Sequence, residues 1–214
     1  LREAGIPVIS EMEFAGRYMG KAKCICITGS NGKTTTTSLI YKIMRDAGMN
    51  VALGGNIGES FAYSVATGDY GMYRFRAHVG VLMNITPDHL DRYDHCFQNY
   101  ADSKMRIVQN MTSRDWFVYS GDDEVIWNEI PKYDLRMRQL PFAAKNAVAS
   151  GAGDAFLCDG KFTATAGKAS VEIDTAKLQI KGLHNAYNAM AAALATLAAG
   201  VAPAKIRKSL YAFA

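Results

Sequence analysis

Cys24-Ile25-Cys26-Ile27-Thr28-Gly29-Ser30-Asn31-Gly32-Lys33-Thr34-Thr35 is the stretch that decides the reading of this 214-residue chain. A short apolar run ends at Thr28 and a glycine-bearing turn follows. From Thr35 to Ala47, Leu39, Ile40, Ile43 and Met44 then recur at helical spacing. Strand, turn and helix in that order form a βα unit, and the turn has the chemistry of a phosphate loop. Gly29 and Gly32 permit a tight backbone and close approach, while exposed N–H groups at a helix start favour anionic oxygen. Lys33 adds a positive charge, and a threonine hydroxyl can ligate magnesium. Gly29, Ser30, Asn31, Gly32, Lys33, Thr34 and Thr35 are therefore expected to cradle a triphosphate. The spacing is shorter than G-x-x-x-x-G-K-[ST], because Ile27 stands five positions before Gly32. Residues 34 to 37 are all threonine, so the pattern alone leaves the metal ligand open.

Outward from this unit the alternation continues. Val51 to Leu53 is expected as a second strand, Glu59 to Ala66 as a helix, Val79 to Met83 as a strand ending at Asn84, and Tyr100 to Gln109 as a helix. Repeated βα alternation implies a mostly parallel sheet covered by helices, with ligands at the carboxyl ends of its strands. The later third adds antiparallel character. Trp116 to Tyr119 reads as a strand, and Phe156 to Thr163 as a hairpin turning at Asp159-Gly160. An alanine-rich helix, His184 to Ala199, is ended by Gly200, and Pro203 to Leu210 starts another. The fold class is α/β. Residues 1–20, with a Gly5-Ile6-Pro7 turn and a helical pattern from Glu11 to Met19, are too short for a domain.

Composition narrows the function. Hydrophobic residues at 49% and charged residues at 21% match ordinary globular usage and exclude the signature of disorder. Lys and Arg exceed Asp and Glu by only four, with no run of five like charges. That argues against a dedicated nucleic-acid or membrane-surface protein and suits an anionic ligand. No stretch is long and apolar enough to span a membrane, and residues 1–20 lack the order of a signal peptide, so a cytoplasmic location is expected. Cys24, Cys26, Cys96 and Cys158 form no C-x-x-C pair; Cys24 and Cys26, two apart, are expected as core residues on one strand face.

With the loop in hand, four later stretches make the sequence resemble the Mur ligases, ATP-dependent amide-forming enzymes of peptidoglycan precursor synthesis. Gly54-Gly55-Asn56-Ile57-Gly58 resembles a segment of the D-glutamate-adding branch. Asn84-Ile85-Thr86-Pro87-Asp88-His89-Leu90-Asp91-Arg92-Tyr93 resembles the second family signature, and Tyr100 to Ile107 the helix with a special lysine. Gly182-Leu183-His184-Asn185-Ala186-Tyr187-Asn188 is similar to the G-x-H-N-x-x-N motif on the nucleotide side. The resemblance implies a P-loop-like central ATP-binding domain over residues 21–214. Residues 1–20 would then be the tail of a uridine-nucleotide domain, and the family's C-terminal domain would be absent.

It also implies a reaction in which ATP phosphorylates the carboxylate of UDP-N-acetylmuramoyl-L-alanine and the amine of D-glutamate attacks the acyl phosphate, in a monomer. Lys33, Lys104 and His89 are the implied catalytic residues. Thr34, His89 and Lys104 are implied for Mg2+, with Lys104 carbamylated; that modification needs a neutral amine within reach of carbon dioxide, which partial burial favours. Asn56 and His89 are implied on the substrate side. Asn185 and Asn188, three apart on one helix face, are implied towards adenine, with Asn185 as helix cap the alternative.

The chain departs from the family in one place. The E-x-S-S strand that carries a metal-ligating Glu has no counterpart in Gly68-Asp69-Tyr70-Gly71-Met72-Tyr73. If residues on either side of a missing segment are simply joined here, the Cα atoms of Tyr70 and Gly71 should lie far more than about 3.8 Å apart. Two alternatives stay open. One is another Mur ligase or a folylpolyglutamate synthase, with the same chemistry on a different carboxylate; the other is a nucleotide-binding module without ligation.

Overall fold

The computed structural model describes residues 14, 16, 18, 22–54, 76–88, 90–145 and 154–214. The chain divides into two compact units, Leu1–Cys24 with Val51–Arg76, and Ile25–Asn50 with Ala77–Ala214. In the first, Phe14 and Gly16 are helical, in line with the pattern from Glu11 to Met19. Val51 to Leu53 do not form the expected strand, and only Gly54 makes an isolated bridge. Ala52 is exposed, and three residues offer too few ladder bonds and too little buried surface to hold a strand. The expected helix from Glu59 to Ala66 and the Tyr70–Gly71 junction lie outside the described residues.

The second unit is built on a seven-stranded sheet in sequential order: β1 (Cys24–Thr28), β2 (Ala77–Leu82), β3 (Trp116–Ser120), β4 (Arg138–Ala143), β5 (Ala155–Cys158), β6 (Lys161–Ala166) and β7 (Ala169–Asp174). Strands β2 to β5 pair in parallel, with Val81 opposite Val118 and Val118 opposite Leu140. The β5–β6 and β6–β7 pairs are antiparallel. Asp159 and Gly160, at φ 49° and 74°, form the expected two-residue hairpin turn, since such a turn needs positive φ at both positions. Among the described residues of this unit the α-helices are α1 (Lys33–Asp46), α2 (Phe97–Met105), α3 (Glu124–Glu129), α4 (Leu183–Ala198) and α5 (Pro203–Tyr211). The fold is therefore the expected α/β class, with antiparallel strands added to a parallel sheet.

Side chains alternate across the sheet and feed two cores. Val79, Val81, Met83, Val118, Leu140 and Phe142 face α1, α4 and α5; Leu82, Phe117 and Tyr119 face α2, α3 and Met111. Helix α4 is buried along most of its length, with Ala189, Ala191, Ala192, Ala193 and Ala195 fully covered. Short side chains let its axis approach both sheet and α1. Helix α1 closes at Gly48, at φ 80°, where Met49 N donates to Met44 O and satisfies a terminal carbonyl. Cys24 and Cys26 are half-buried rather than fully enclosed, and Cys26 packs against the second core. Their strand lies at one end of the sheet order, where there is less cover.

On the α2 side the close fit is set by Gly80. A Cβ there would stand 3.1 Å from Met111 Sδ and 3.3 Å from Ile107 Cγ1. Gly80→Val therefore has to displace the Arg106–Val108 turn, and it is expected to destabilise the unit by about 1–3 kcal/mol, read as a lower urea midpoint at unchanged slope.

Candidate functional site

The loops leaving the carboxyl ends of β1 and β2 form one structure. Met83 N donates to Thr28 O and Ser30 N to Asn84 O, each at 3.0 Å, so the ladder continues past both strands into the phosphate loop. The Asn84 side chain then clamps Asn31 from both directions: its Oδ1 accepts from Asn31 N at 2.8 Å and its Nδ2 donates to Asn31 O at 3.1 Å. Two glycines make this approach possible. Gly29 sits at φ 141°, and a Cβ would lie 2.9 Å from Met83 Cβ; Gly32 sits at φ 81°, and a Cβ would lie 2.6 Å from Asn188 Oδ1.

Gly32 is the N-cap of α1, with no side-chain cap bond and no acidic residue in the first turn. The first N–H groups of a 14-residue helix thus point into the loop with the positive end of its dipole behind them. Lys33 Nζ folds back to donate to Gly29 O and Ser30 O, both at 2.7 Å. Burial first, and the nearby Lys104 charge second, hold the Lys33 ammonium below the ordinary lysine range, while Asp88 pulls the other way. The loop thus carries a lysine charge and a helix N-terminus on one short stretch.

The hydroxyls sort the four threonines. Thr36 Oγ1 donates to Asn188 Oδ1 at 3.2 Å and Thr37 Oγ1 to Lys33 O at 2.7 Å. Thr34 and Thr35 make no hydrogen bond to a described residue; Thr34 is exposed and Thr35 half-buried. The Thr34 and Thr35 hydroxyls are thus the two of the four left uncommitted. Among the described residues no group of three His, Cys, Asp or Glu could hold a metal ion. A threonine hydroxyl oxygen is a hard ligand of the kind magnesium accepts.

The remaining expected residues divide. Lys104, on α2, is half-buried and close enough to act on Lys33. Asn188 is 4% exposed and committed beneath the loop: its Oδ1 accepts from Thr36 and its Nδ2 donates to Asn185 Oδ1 at 3.1 Å. Asn185 does not cap α4, whose N-cap is Gly182; its Nδ2 donates to Lys181 O at 2.9 Å. Of the two, Asn185 is the one left half-exposed. Asn56 and His89 lie outside the described residues.

Several contributors escaped sequence reasoning. Asn84, Thr86 and Tyr100 carry no local pattern that marks them as loop partners. Asp122 and Asp123, just past β3, were not singled out. Asp123 Oδ2 accepts from Ile85 N at 2.8 Å while its Oδ1 caps α3 through Ile126 N. Asp122 Oδ2 accepts from Ala144 N, Lys145 N and the Tyr187 hydroxyl, tying β4 and α4 together. Burial, and then that bond to Asp122, push the Tyr187 phenol well above its ordinary range. The available signal was positional: two carboxylates after a parallel strand, at the edge of the sheet where ligands bind.

Two outcomes follow from this geometry. Gly32→Ala forces a side chain into left-handed backbone against Asn188, and it is expected to weaken binding of a fluorescent ATP analogue about 5- to 30-fold, the equivalent of the roughly 1–2 kcal/mol cost of that conformation. Phosphate favours charged Lys33, so analogue affinity should fall as pH rises through a value below the 10.5 of an ordinary lysine. For folding the sign is opposite. A lysine depressed in the folded state opposes folding while charged, and the opposition fades as pH rises through its folded value.

Comparison with known proteins agrees with this arrangement. The profile of the Mur ligase middle domain matches residues 27–69 and 59–196. UDP-N-acetylmuramoylalanine--D-glutamate ligase of Bacteroides fragilis is 49% identical over 226 positions, covering 100% of this chain and 50% of that protein. The same-named protein of Christiangramia forsetii is 38% identical over the same shares. The chain thus spans about half the length of these curated relatives. The pairing runs to 226 positions against 214 residues here, so at least 12 positions of the relative have no counterpart. The two stretches of the profile match overlap at 59–69, beside residues 68–73 where the acidic strand pattern is missing. Among solved structures, the Neisseria meningitides UDP-N-acetylmuramate:L-alanyl-gamma-D-glutamyl-meso-diaminopimelate ligase superposes with a TM-score of 0.68 at 19% identity, covering 100% of this chain and 73% of that one. MurF of Acinetobacter baumannii gives 0.64 at 19%, covering 94% and 48%. At that identity the likeness is one of fold. A phosphate loop locked to the end of a parallel strand, a profile matching most of the chain and relatives alike over its whole length lead to one assignment: the chain belongs to the Mur ligase family, through its middle domain.

Proposed function

We propose that this chain is the nucleotide-binding part of an ATP-dependent ligase that adds D-glutamate to UDP-N-acetylmuramoyl-L-alanine, acting as a cytosolic monomer. The observation that carries the reading is 49% identity, across the whole chain, to a protein named for that reaction. ATP supplies the phosphoryl group that activates the substrate carboxylate. The residues present fit it: the glycines let the loop turn tightly against Met83, Asn84 and Asn188, and the first turn of α1 has neither a side-chain cap nor an acidic residue to compete with an anion.

In this reading Lys33 leaves its two carbonyl partners for phosphate oxygens, an exchange of neutral acceptors for charged ones. Thr34 holds Mg2+, with Lys104, carbamylated, and His89 as further ligands. Asn56 and His89 face the substrate, and Asn185, with Asn188 behind it, faces adenine. The chain's own part in catalysis is electrostatic: α1, Lys33 and the loop amides oppose the negative charge that gathers in phosphoryl transfer and in collapse of the tetrahedral intermediate. Among the described residues no helix is long and apolar enough to cross a membrane.

The deciding assay is ADP release by the complete protein with UDP-N-acetylmuramoyl-L-alanine, ATP and Mg2+. Release is expected to require D-glutamate, with L-glutamate, L-lysine and diaminopimelate at background. Turnover indifferent to the amino acid would instead favour a nucleotide-hydrolysing module. Residues 1–214 alone are expected to bind the nucleotide and not ligate.

A further inference from the structure

Lys104 and the phosphate loop meet through one side chain. Tyr100 precedes Lys104 by one turn of α2 and is 2% exposed. The Lys104 ammonium stands 4.7 Å from its ring centroid, within cation–π range. The ring is itself held, edge-on by Tyr93 at 5.2 Å and by Phe97 at 6.3 Å. At its far end the hydroxyl lies 2.8 Å from Ser30 Oγ, inside the loop.

Proton counting gives that bond its direction. Ser30 Oγ has one hydrogen, which it donates to Thr86 O at 2.8 Å, and it accepts from Thr86 N at 2.9 Å. Its second lone pair is left for Tyr100, so the phenol donates. Ser30 is thereby saturated, and Ser30 O in turn accepts from Lys33 Nζ. One tyrosine thus touches the loop that holds Lys33 with its hydroxyl and holds Lys104 with its ring.

We infer that Tyr100 is a positioning residue: its hydroxyl fixes the phosphate loop through Ser30, and its ring holds the unmodified Lys104 amine, before any carbamylation, in register with Lys33. The inference rests on the nucleotide reading above for its first arm only. The arms separate chemically, because Phe keeps the ring and loses the hydroxyl, whereas Leu loses both.

The test titrates the full chain, as wild type, Tyr100→Phe, Tyr100→Leu, Ser30→Ala and the Ser30→Ala/Tyr100→Phe double variant, with a fluorescent ATP analogue and Mg2+. In parallel, an amine-acylating reagent is applied without nucleotide and the Lys104 peptide is quantified by mass spectrometry. Tyr100→Phe is expected to weaken analogue binding about fivefold, the worth of one such hydrogen bond, with Lys104 labelling unchanged. Tyr100→Leu is expected to weaken binding at least as much and to speed Lys104 labelling several-fold. The double variant should bind better than the product of the single effects implies, because both changes remove the same bond. Wild-type affinity in Tyr100→Phe, or effects that simply multiply, overturns the first arm. Equal Lys104 labelling in the Phe and Leu variants overturns the second. If the wild-type chain binds no analogue, the nucleotide reading fails and the first arm with it, while the labelling comparison still decides the ring's role.

Discussion

The site depends on a steric constraint more than on any single attraction. At Gly29 and Gly32 the backbone passes where no side chain fits, against Met83 and Asn84 on one side and Asn188 on the other. That closeness lets strand-like hydrogen bonding continue beyond β1 and β2 and gives Asn84 its two-way hold on Asn31. A wider gap would leave the same polar groups to water. The loop is thus stiff because its neighbours are near, and they are near because two positions lack a Cβ.

The same closeness sets the electrostatics. Lys33 and Lys104 are like charges in a partly buried place, an unfavourable pairing that the surroundings offset. Lys33 leans on the Gly29 and Ser30 carbonyls and Lys104 on the electron-rich face of Tyr100, with Asp88 acting at longer range. These compensations are neutral or weak. A site that stabilises its cations with carbonyls and a π face, in place of tight carboxylate partners, keeps most of its positive potential for an incoming anion.

Local pattern made part of this legible. The loop was readable because glycine, lysine and threonine have to occupy fixed offsets between a strand and a helix. The turn at Asp159-Gly160 was readable because few residue pairs accept positive φ twice. Strand β4 was not, since Pro141 lies inside it, paired opposite Tyr119, and proline ordinarily argues against an inner strand. Helix α3 escaped because six residues carry too little periodicity, and its cap, Asp123, also serves Ile85 on another loop. Strand β7, six alternating residues, draws its support from β6 and from Tyr211, whose hydroxyl accepts from Asp174 N. At the site, Gly29 to Thr35 were found as a set. The partners that hold them, Asn84 and Tyr100, act across 53 and 70 residues of sequence, a range at which no local spacing carries a signal.

The floor of the loop comes from even farther along the chain. Thr36 and Asn188 are 152 positions apart, and α4, which brings Asn188, packs against α1, α5 and strands β2 to β7. On a ribosome adding about 5–20 residues per second, roughly 8–30 s separate the two partners. During that interval the glycine loop has been made but has nothing beneath it. The apolar face of α1, with Leu39, Ile40 and Ile43, likewise waits for the alanine-rich helix that will cover it. The loop is therefore complete only once residue 188 has been made, although the glycines that shape it precede that residue by more than 150 positions.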